Sequence, residues 1–477
     1  MKIPALMSQT IYDEVRYSNF PYAQTHPDRL GTVATLHGLE PPDPFASRVL
    51  EIGCGAGGNL LAMAAATPGL SVVGVDLAPT AIAEAQLAVR EIGLTNAEFR
   101  VEDVRGLTNG KLGQFDYVIA HGVYGWMPEE ADDALLQTIK ASLAPGGIAY
   151  VSFNAQPGGY FRRLLRDAGL WHARDEVGAE AKATKAQELY RFLNEQRVSD
   201  SDTYGMLLGR EVPALADAQS YRLVHDDLSE SWKPRWFAEF AGHAAGHGLA
   251  YVGEADLYSL RSEMLPAGVE PHVWNLADGD RIAFENLSDL LIGRHFRQSI
   301  VCHAGGPEAT IDALPERTMG LHWAVRPNAE PLEVGLTADA FRVLDEQRPR
   351  AVSFATLQEL LGAEPEALAE ALLDGFRRER LMPHAGPLRA ATEPGERPTA
   401  SRLARWQAAR GADMVSLAYM RVRMEEPAAR KLITLLDGTR DRAAIRADLA
   451  DAVGIELGEH DLERNLVELT RLFLLEP

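Results

Sequence analysis

Over residues 48–153 the apolar positions fall into short continuous runs separated by longer stretches of helical periodicity. Residues 48–52 form a β-like run that passes through glycines into a helical stretch over 58–66, stopped by Pro68 and Gly69. A second run over 71–75 ends in Asp76 and precedes a helix over 79–92, with Gly93 as its stop. Runs over 97–101 and 115–120, a helix over 129–143 and a run over 148–153, entered through Pro145-Gly146-Gly147, complete the series. Strands alternating with helices predict a parallel sheet with right-handed crossovers.

From 158 to 234 the pattern is helical and charged, clearest over 160–172 and 181–194, and reads as an inserted module. A helix over 236–247, a strand over 249–253 and a run over 296–302 let the sheet resume and close, so the first domain is expected to be discontinuous, 1–157 with 235–305. The remainder contains two loose copies of one helical unit, within 306–385 and 401–477. They align Val343-Leu344-Asp345 with Leu435-Leu436-Asp437, and Arg380-Leu381-Met382 with Leu474-Leu475-Glu476. Short helices ending in a strand-like segment suggest winged-helix-like modules. The Pro-, Gly- and Thr-rich stretch 386–400 reads as a linker between them.

Charge narrows what such modules can do. A formal net charge of −21 repels phosphate backbones, and the arginines between 402 and 446 are scattered, so nucleic acid is disfavoured and a docking or scaffold role preferred. Two cysteines, Cys54 and Cys302, make no disulfide framework and fit a reducing compartment. Residues 1–12 lack the apolar run of a signal peptide and no stretch approaches a membrane span, so a cytoplasmic protein without membrane insertion is expected.

The chemistry concentrates at Glu51-Ile-Gly53-Cys-Gly55-Ala-Gly57-Gly58, where a strand turns into a helix. Glycines there let backbone approach a ligand, and the helix N-terminus offers free amides. Asp76 stands where an acid would bind ribose hydroxyls. Taken alone, the motif serves a dinucleotide or S-adenosylmethionine equally. Three features favour the sulfonium: Glu51 would repel a pyrophosphate but can orient an amino group, Glu102-Asp103-Val104 puts a carboxylate near an adenine amine, and the later strands follow at methyltransferase spacing.

Val49-Leu-Glu-Ile-Gly-Cys-Gly-Ala-Gly57, Val75-Asp76 and Leu143-Ala-Pro-Gly-Gly147 resemble the motifs of class I methyltransferases. A narrower resemblance lies in Tyr17-Ser-Asn-Phe-Pro-Tyr-Ala-Gln-Thr-His-Pro-Asp-Arg-Leu30, His121-Gly-Val-Tyr-Gly-Trp-Met-Pro128, the stretch 236–256 and Phe296-Arg-Gln-Ser-Ile-Val-Cys-His303. These are similar to bacterial methyltransferases with a methyltransferase regulatory domain, among them protein lysine methyltransferases acting on outer-membrane proteins. The resemblance implies an α/β, Rossmann-like class I methyltransferase sheet with a helical insertion and C-terminal winged-helix-like modules, and S-adenosyl-L-methionine as cofactor.

It also implies site residues. Thr25 and His26 should cover the cofactor; Gly53, Gly55, Gly57 and Asn59, with Glu51, should surround its methionine end; Asp76 and Leu77 its ribose and adenine; and Asp103 with Val104 its adenine ring. His121 would sit below the reacting methyl. If the acceptor is a lysine amine, it needs a desolvating channel, for which Tyr124, Trp126 and Tyr160 are candidate walls and Asn154 a candidate hydrogen-bonding group near the amine. Where those lysine methyltransferases show Asn-x-x-Pro-Gly-Trp-His, this chain reads Asn154-Ala-Gln-Pro-Gly158-Gly159-Tyr160.

Three functions remain open: methyl transfer to a protein lysine, methyl transfer to oxygen or nitrogen of a small molecule, and cofactor binding without turnover. A homodimer is compatible with the extra modules. His243 and His247 have metal-like i, i+4 spacing but lack the glutamate of the zinc-protease motif; they read as a helix face and no metal is expected. Asp226 and Asp227 read as loop or cap residues.

Overall fold

The alternation of buried runs and helices folds into a seven-stranded sheet of order β3-β2-β1-β4-β5-β7-β6 in the computed structural model. Its strands are β1 Arg48–Ile52, β2 Ser71–Asp76, β3 Ala97–Val101, β4 Phe115–Ala120, β5 Leu143–Asn154, β6 Leu249–Glu254 and β7 Phe296–His303. The structure describes residues 20–196, 202–229, 231–256, 265–266, 268–327, 329–454 and 456–477. The expectations for residues 1–12 and for Tyr17, Ser18 and Asn19 lie outside them.

β1 to β5 pair in parallel, with β7 antiparallel to both β5 and β6. The strand order reverses between β1 and β4, which opens a crevice beyond their C-terminal ends where ligands of open α/β sheets bind. β1 and β4 are buried almost throughout because helices cover both faces, which is why they read as continuous apolar runs. β5 begins earlier than the expected 148, since Leu143 already pairs with Phe115 across a bulge before the register settles at Tyr117 and Ile148.

Between β5 and β6 the helices Gly159–His172, Ala179–Glu195 and Thr203–Ala216 bury a small core of their own around Tyr190, Val212 and Leu223. Asp227 departs from its expected role. It is buried, and both Nε and Nη2 of Arg162 donate to its Oδ1, so it ties the insertion together instead of capping a helix. A second buried ion cluster lies under β6 and β7. The fully buried Arg297 guanidinium reaches Glu254 at 3.0 Å, Glu285 at 2.9 Å and Asp289 at 2.7 Å, and Asp289 also meets Arg294.

Each copy of the C-terminal unit holds three helices: Leu336–Glu346, Phe354–Leu361 and Pro365–Arg377 in the first, Pro427–Leu435, Arg442–Val453 and Glu459–Arg471 in the second. The aligned Leu344 and Leu436 are both fully buried, as are Leu381 and Leu475. The copies differ in attachment. Trp323, Phe341 and Leu372 of the first belong to the same core as Leu30, Leu60 and Val72 of the sheet domain, whereas the second has a core of its own around Ile433, Leu449 and Leu466 and joins the sheet-domain core only through Leu403 and Val415 among its buried residues. The stretch 386–400 forms no helix but is packed rather than free: Ala391 and Ala400 are buried, and the Ala391 amide donates to the Leu475 carbonyl. Among the described residues no helix is long and apolar enough to cross a membrane.

Candidate functional site

After β1 the chain turns through Gly53, Gly55 and Gly57, all at positive φ (75°, 54° and 76°). An L side chain resists that conformation, and at Gly57 a Cβ would also lie 2.5 Å from Phe99 Cε1. The Gly53 and Cys54 amides donate to the Val75 carbonyl, so the turn hangs on the end of β2. Asp76, the last residue of β2, completes it: one carboxylate oxygen accepts from the Gly55 amide at 2.8 Å, the other from the Ala78 amide at 2.9 Å.

Glu51 is buried at the end of β1. Its Oε1 accepts from Asn59 Nδ2 at 2.9 Å, and the same amide donates to Thr25 Oγ1 at 2.9 Å, while Asn59 Oδ1 accepts from the Tyr22 amide. Glu51 Oε2 has no partner among the described residues. Burial pushes its pKa up to about 8, against the Asn59 hydrogen bond and with the Asp76 charge adding to the rise. His26 is similar: Nδ1 accepts from the Asp28 amide, Nε2 is buried without a partner among the described residues, and burial lowers its pKa to about 4. Against its ring, 4.4 Å between centroids, lies Tyr419 of the second C-terminal unit, whose hydroxyl also lacks a partner among the described residues. Buried polar atoms are nearly always satisfied, so orphaned atoms beside a glycine turn make this the candidate ligand cradle.

The structure thus brings Thr25, His26, Glu51, Asn59 and Asp76 together. Leu77 follows, largely exposed, beyond β2. Asp103 stands beyond the end of β3, next to β2, but its carboxylate faces Arg105: it caps the Arg105 amide and accepts from the guanidinium, which holds it below the usual carboxylate range. Val104 packs against the core below and its carbonyl accepts from Thr138.

His121 follows β4. Its Nδ1 is 3.0 Å from the Tyr150 hydroxyl and 3.3 Å from Ser152 Oγ, Tyr22 lies over its ring at 3.9 Å, and Phe296 stands edge-on at 6.3 Å. Burial lowers its pKa to about 4, so it is neutral at physiological pH. Asn154, at the end of β5, accepts at Oδ1 from Trp232 Nε1, and Trp232 packs 6.0 Å from Trp126. Tyr160 is half exposed.

Tyr124, expected on the channel wall, is a core residue instead. It is 2% exposed, edge-on to Phe153 and Phe240, and its hydroxyl meets His243 Nδ1 at 2.9 Å. Aromatics at a strand end fill cores as readily as they line pockets. The aromatic absent at Gly159 also has a physical reason: a Cβ there would collide with Pro234, so the Trp232–Arg235 strand-like segment occupies that space.

Sequence reasoning missed Tyr22, Tyr150, Ser152, Trp232 and Tyr419. Tyr150 and Ser152 were within reach, because alternate residues of β5 share a face. Tyr22 sits three residues before Thr25. Nothing local could connect Tyr419 or Trp232 to this site.

A methyltransferase domain family matches residues 49–147, a predicted methyltransferase regulatory domain family matches 219–303, and the family of the PKMT C-terminal winged helix domain matches 396–469. Two uncharacterised Rickettsia prowazekii proteins are similar: one is 34% identical over 61% of this chain and 52% of its own length, the other 30% identical over 48% and 91%. The chain therefore spans only about half the length of the first. A ubiquinone biosynthesis O-methyltransferase of Xanthomonas campestris is 30% identical over 39% of this chain and 75% of its own. PKMT2 from Rickettsia typhi, solved in complex with AdoHcy, has the same fold over 96% of this chain and 99% of its own, with a TM-score of 0.82 at 22% identity.

Proposed function

Since the chain belongs to the methyltransferases built with a methyltransferase regulatory domain, we propose that it moves a methyl group from S-adenosylmethionine to the side-chain amine of a protein lysine. The orphaned Glu51 Oε2 carries the cofactor reading. A buried carboxyl with a free oxygen beside a glycine turn suits the ammonium of a methionine moiety and opposes a pyrophosphate. Asn59 holds Glu51 in place, Thr25 and His26 cover the cradle, and Asp76, the acid that ends β2 beside the glycine turn, binds the ribose hydroxyls. Leu77, Asp103 and Val104 flank the adenine side.

S-adenosylmethionine supplies an electrophilic methyl on a sulfonium, so the chain mainly has to align an acceptor and exclude water. A lysine amine, with a reference pKa near ~10.4, attacks only when neutral. With a pKa of about 4, His121 cannot take a proton from an ammonium. It acts as a neutral hydrogen-bonding wall, and with Tyr22, Tyr150 and Phe296 it makes an apolar surround that selects the uncharged amine by desolvation. Asn154 and Trp126 border the acceptor side. The winged-helix domain match and the shared fold with a PKMT support a protein acceptor.

Incubating the full chain with tritiated S-adenosylmethionine and bacterial outer-membrane proteins tests this. Acid hydrolysis of labelled protein should return methylated lysine. Label recovered only in small molecules would support the second reading, an O- or N-methyltransferase, to which the ubiquinone-pathway relative points.

A further inference from the structure

We propose that Asp133, His243 and His247 form a three-ligand site for zinc, separate from the methyl-transfer centre and bracing the loop that carries His121 and Trp126. The two histidines lie one turn apart at the end of helix Phe237–Gly246, and Asp133 faces them from helix Glu129–Ser142, so the site clasps two helices distant in sequence. One ligand atom from each lies within 4.8 Å of the others. His243 Nε2 and His247 Nε2 stand 3.3 Å and 2.8 Å from the same Asp133 oxygen.

Zinc at its usual ~2.0–2.1 Å from nitrogen and oxygen needs tetrahedral ligand atoms about 3.3 Å apart. Of the three separations, His243 Nε2 to Asp133 already has that value, His247 Nε2 to Asp133 reaches it by a small rotation of the Asp133 carboxylate, whose side chain is 56% exposed, and the third pair of ligand atoms lies within 4.8 Å. Two imidazoles and a carboxylate suit zinc and leave a fourth position for water. The half-open setting gives the ion a way in, and the acidic chain attracts it.

The support behind the ligands is the stronger sign. The second ring nitrogen of His243 is 2.9 Å from the hydroxyl of Tyr124, a core residue of the His121 loop. Metal-binding histidines are oriented in this way by a partner on the other nitrogen. Without an ion, His243 Nε2–H donates to Asp133 and Nδ1 accepts from Tyr124. With zinc on Nε2, Nδ1 carries the proton and donates to Tyr124, so binding reverses that hydrogen bond. The next residue along, Gly125, is fixed by its amide donating to Asp132, the neighbour of Asp133, and Asp132 is paired with Arg235. The loop is therefore pinned from two adjacent positions of one helix.

The test uses untagged full-length protein stripped with chelator, then titrated with zinc and separately with cobalt(II). One zinc per chain, tetrahedral cobalt absorption in the visible, and a raised melting temperature are expected. Asp133→Asn and His247→Ala should each weaken zinc at least tenfold, and His243→Ala/His247→Ala should abolish uptake while leaving the metal-free circular dichroism unchanged. Tyr124→Phe keeps all ligands and should weaken binding several-fold. Failure of the chain to take up zinc at micromolar concentration, or undiminished uptake by the double variant, would overturn the proposal. Neither readout depends on methyl transfer.

Discussion

Replacing Glu51 by Gln should push stability and cofactor affinity in opposite directions. Gln keeps the oxygen that accepts from Asn59 but cannot ionise. In the folded chain the Glu51 carboxyl titrates at about 8, against 4.5 as its reference. A raised folded-state pKa means its stabilising contribution is intact below pH 4.5 and is lost as pH rises toward 8. At pH 7 the loss amounts to about 3 kcal/mol, and above pH 8 to about 5 kcal/mol as an upper bound. Glu51→Gln removes the loss, so the ligand-free variant should melt several degrees above wild type at pH 8, with the gap closing by pH 5. The same change removes a charge-assisted contact to a ligand ammonium, worth about 1.5–3 kcal/mol, or roughly 10- to 150-fold in affinity. Differential scanning fluorimetry across pH, paired with calorimetry of S-adenosylhomocysteine binding, reads both. A variant less stable than wild type at pH 8, or one that binds equally well, would refute the reasoning about Glu51.

Arg297→Leu should cost at least ~3–5 kcal/mol, because Glu254, Glu285 and Asp289 would share no central cation; urea unfolding should show a collapsed midpoint, and a change below ~1 kcal/mol would contradict the buried network. Gly57→Ala combines a positive φ with a clash on Phe99 and should cost ~2 kcal/mol or more, along with cofactor binding measured by calorimetry. Tyr419→Phe deletes an orphaned buried hydroxyl and should stabilise the ligand-free chain by up to ~1 kcal/mol, whereas Tyr419→Ala should loosen the second C-terminal unit, read as faster proteolysis near residue 400. In pH–rate profiles kcat/KM should rise through pH 6–9 without a histidine inflection, since His121 stays neutral above about 4; an inflection near 6.5 abolished by His121→Asn would overturn its assignment as a neutral wall.

Strands β1 to β5 and the helices between them were legible because parallel strands covered on both faces must be apolar throughout, and covering helices must be amphipathic. The glycine turn was legible for a comparable reason: Gly53, Gly55 and Gly57 hold backbone conformations that other residues resist. Glu51 was conspicuous as an acid inside a buried strand. Tyr124 misled because an aromatic after a strand carries no mark of which way it faces, and Asp227 because its partner Arg162 lies 65 residues away.

Local periodicity and turn chemistry, both set by near neighbours, were enough to determine the sheet domain, the glycine turn and the repeated C-terminal unit. Tertiary structure alone decided what joins across distance. It delivered Tyr419 to His26, set Asp133 opposite His243 and His247, surrounded Arg297 with three carboxylates and merged the first C-terminal unit into the core of the sheet domain. Such contacts depend on how finished elements pack, and packing leaves no periodic trace in the chain that forms it.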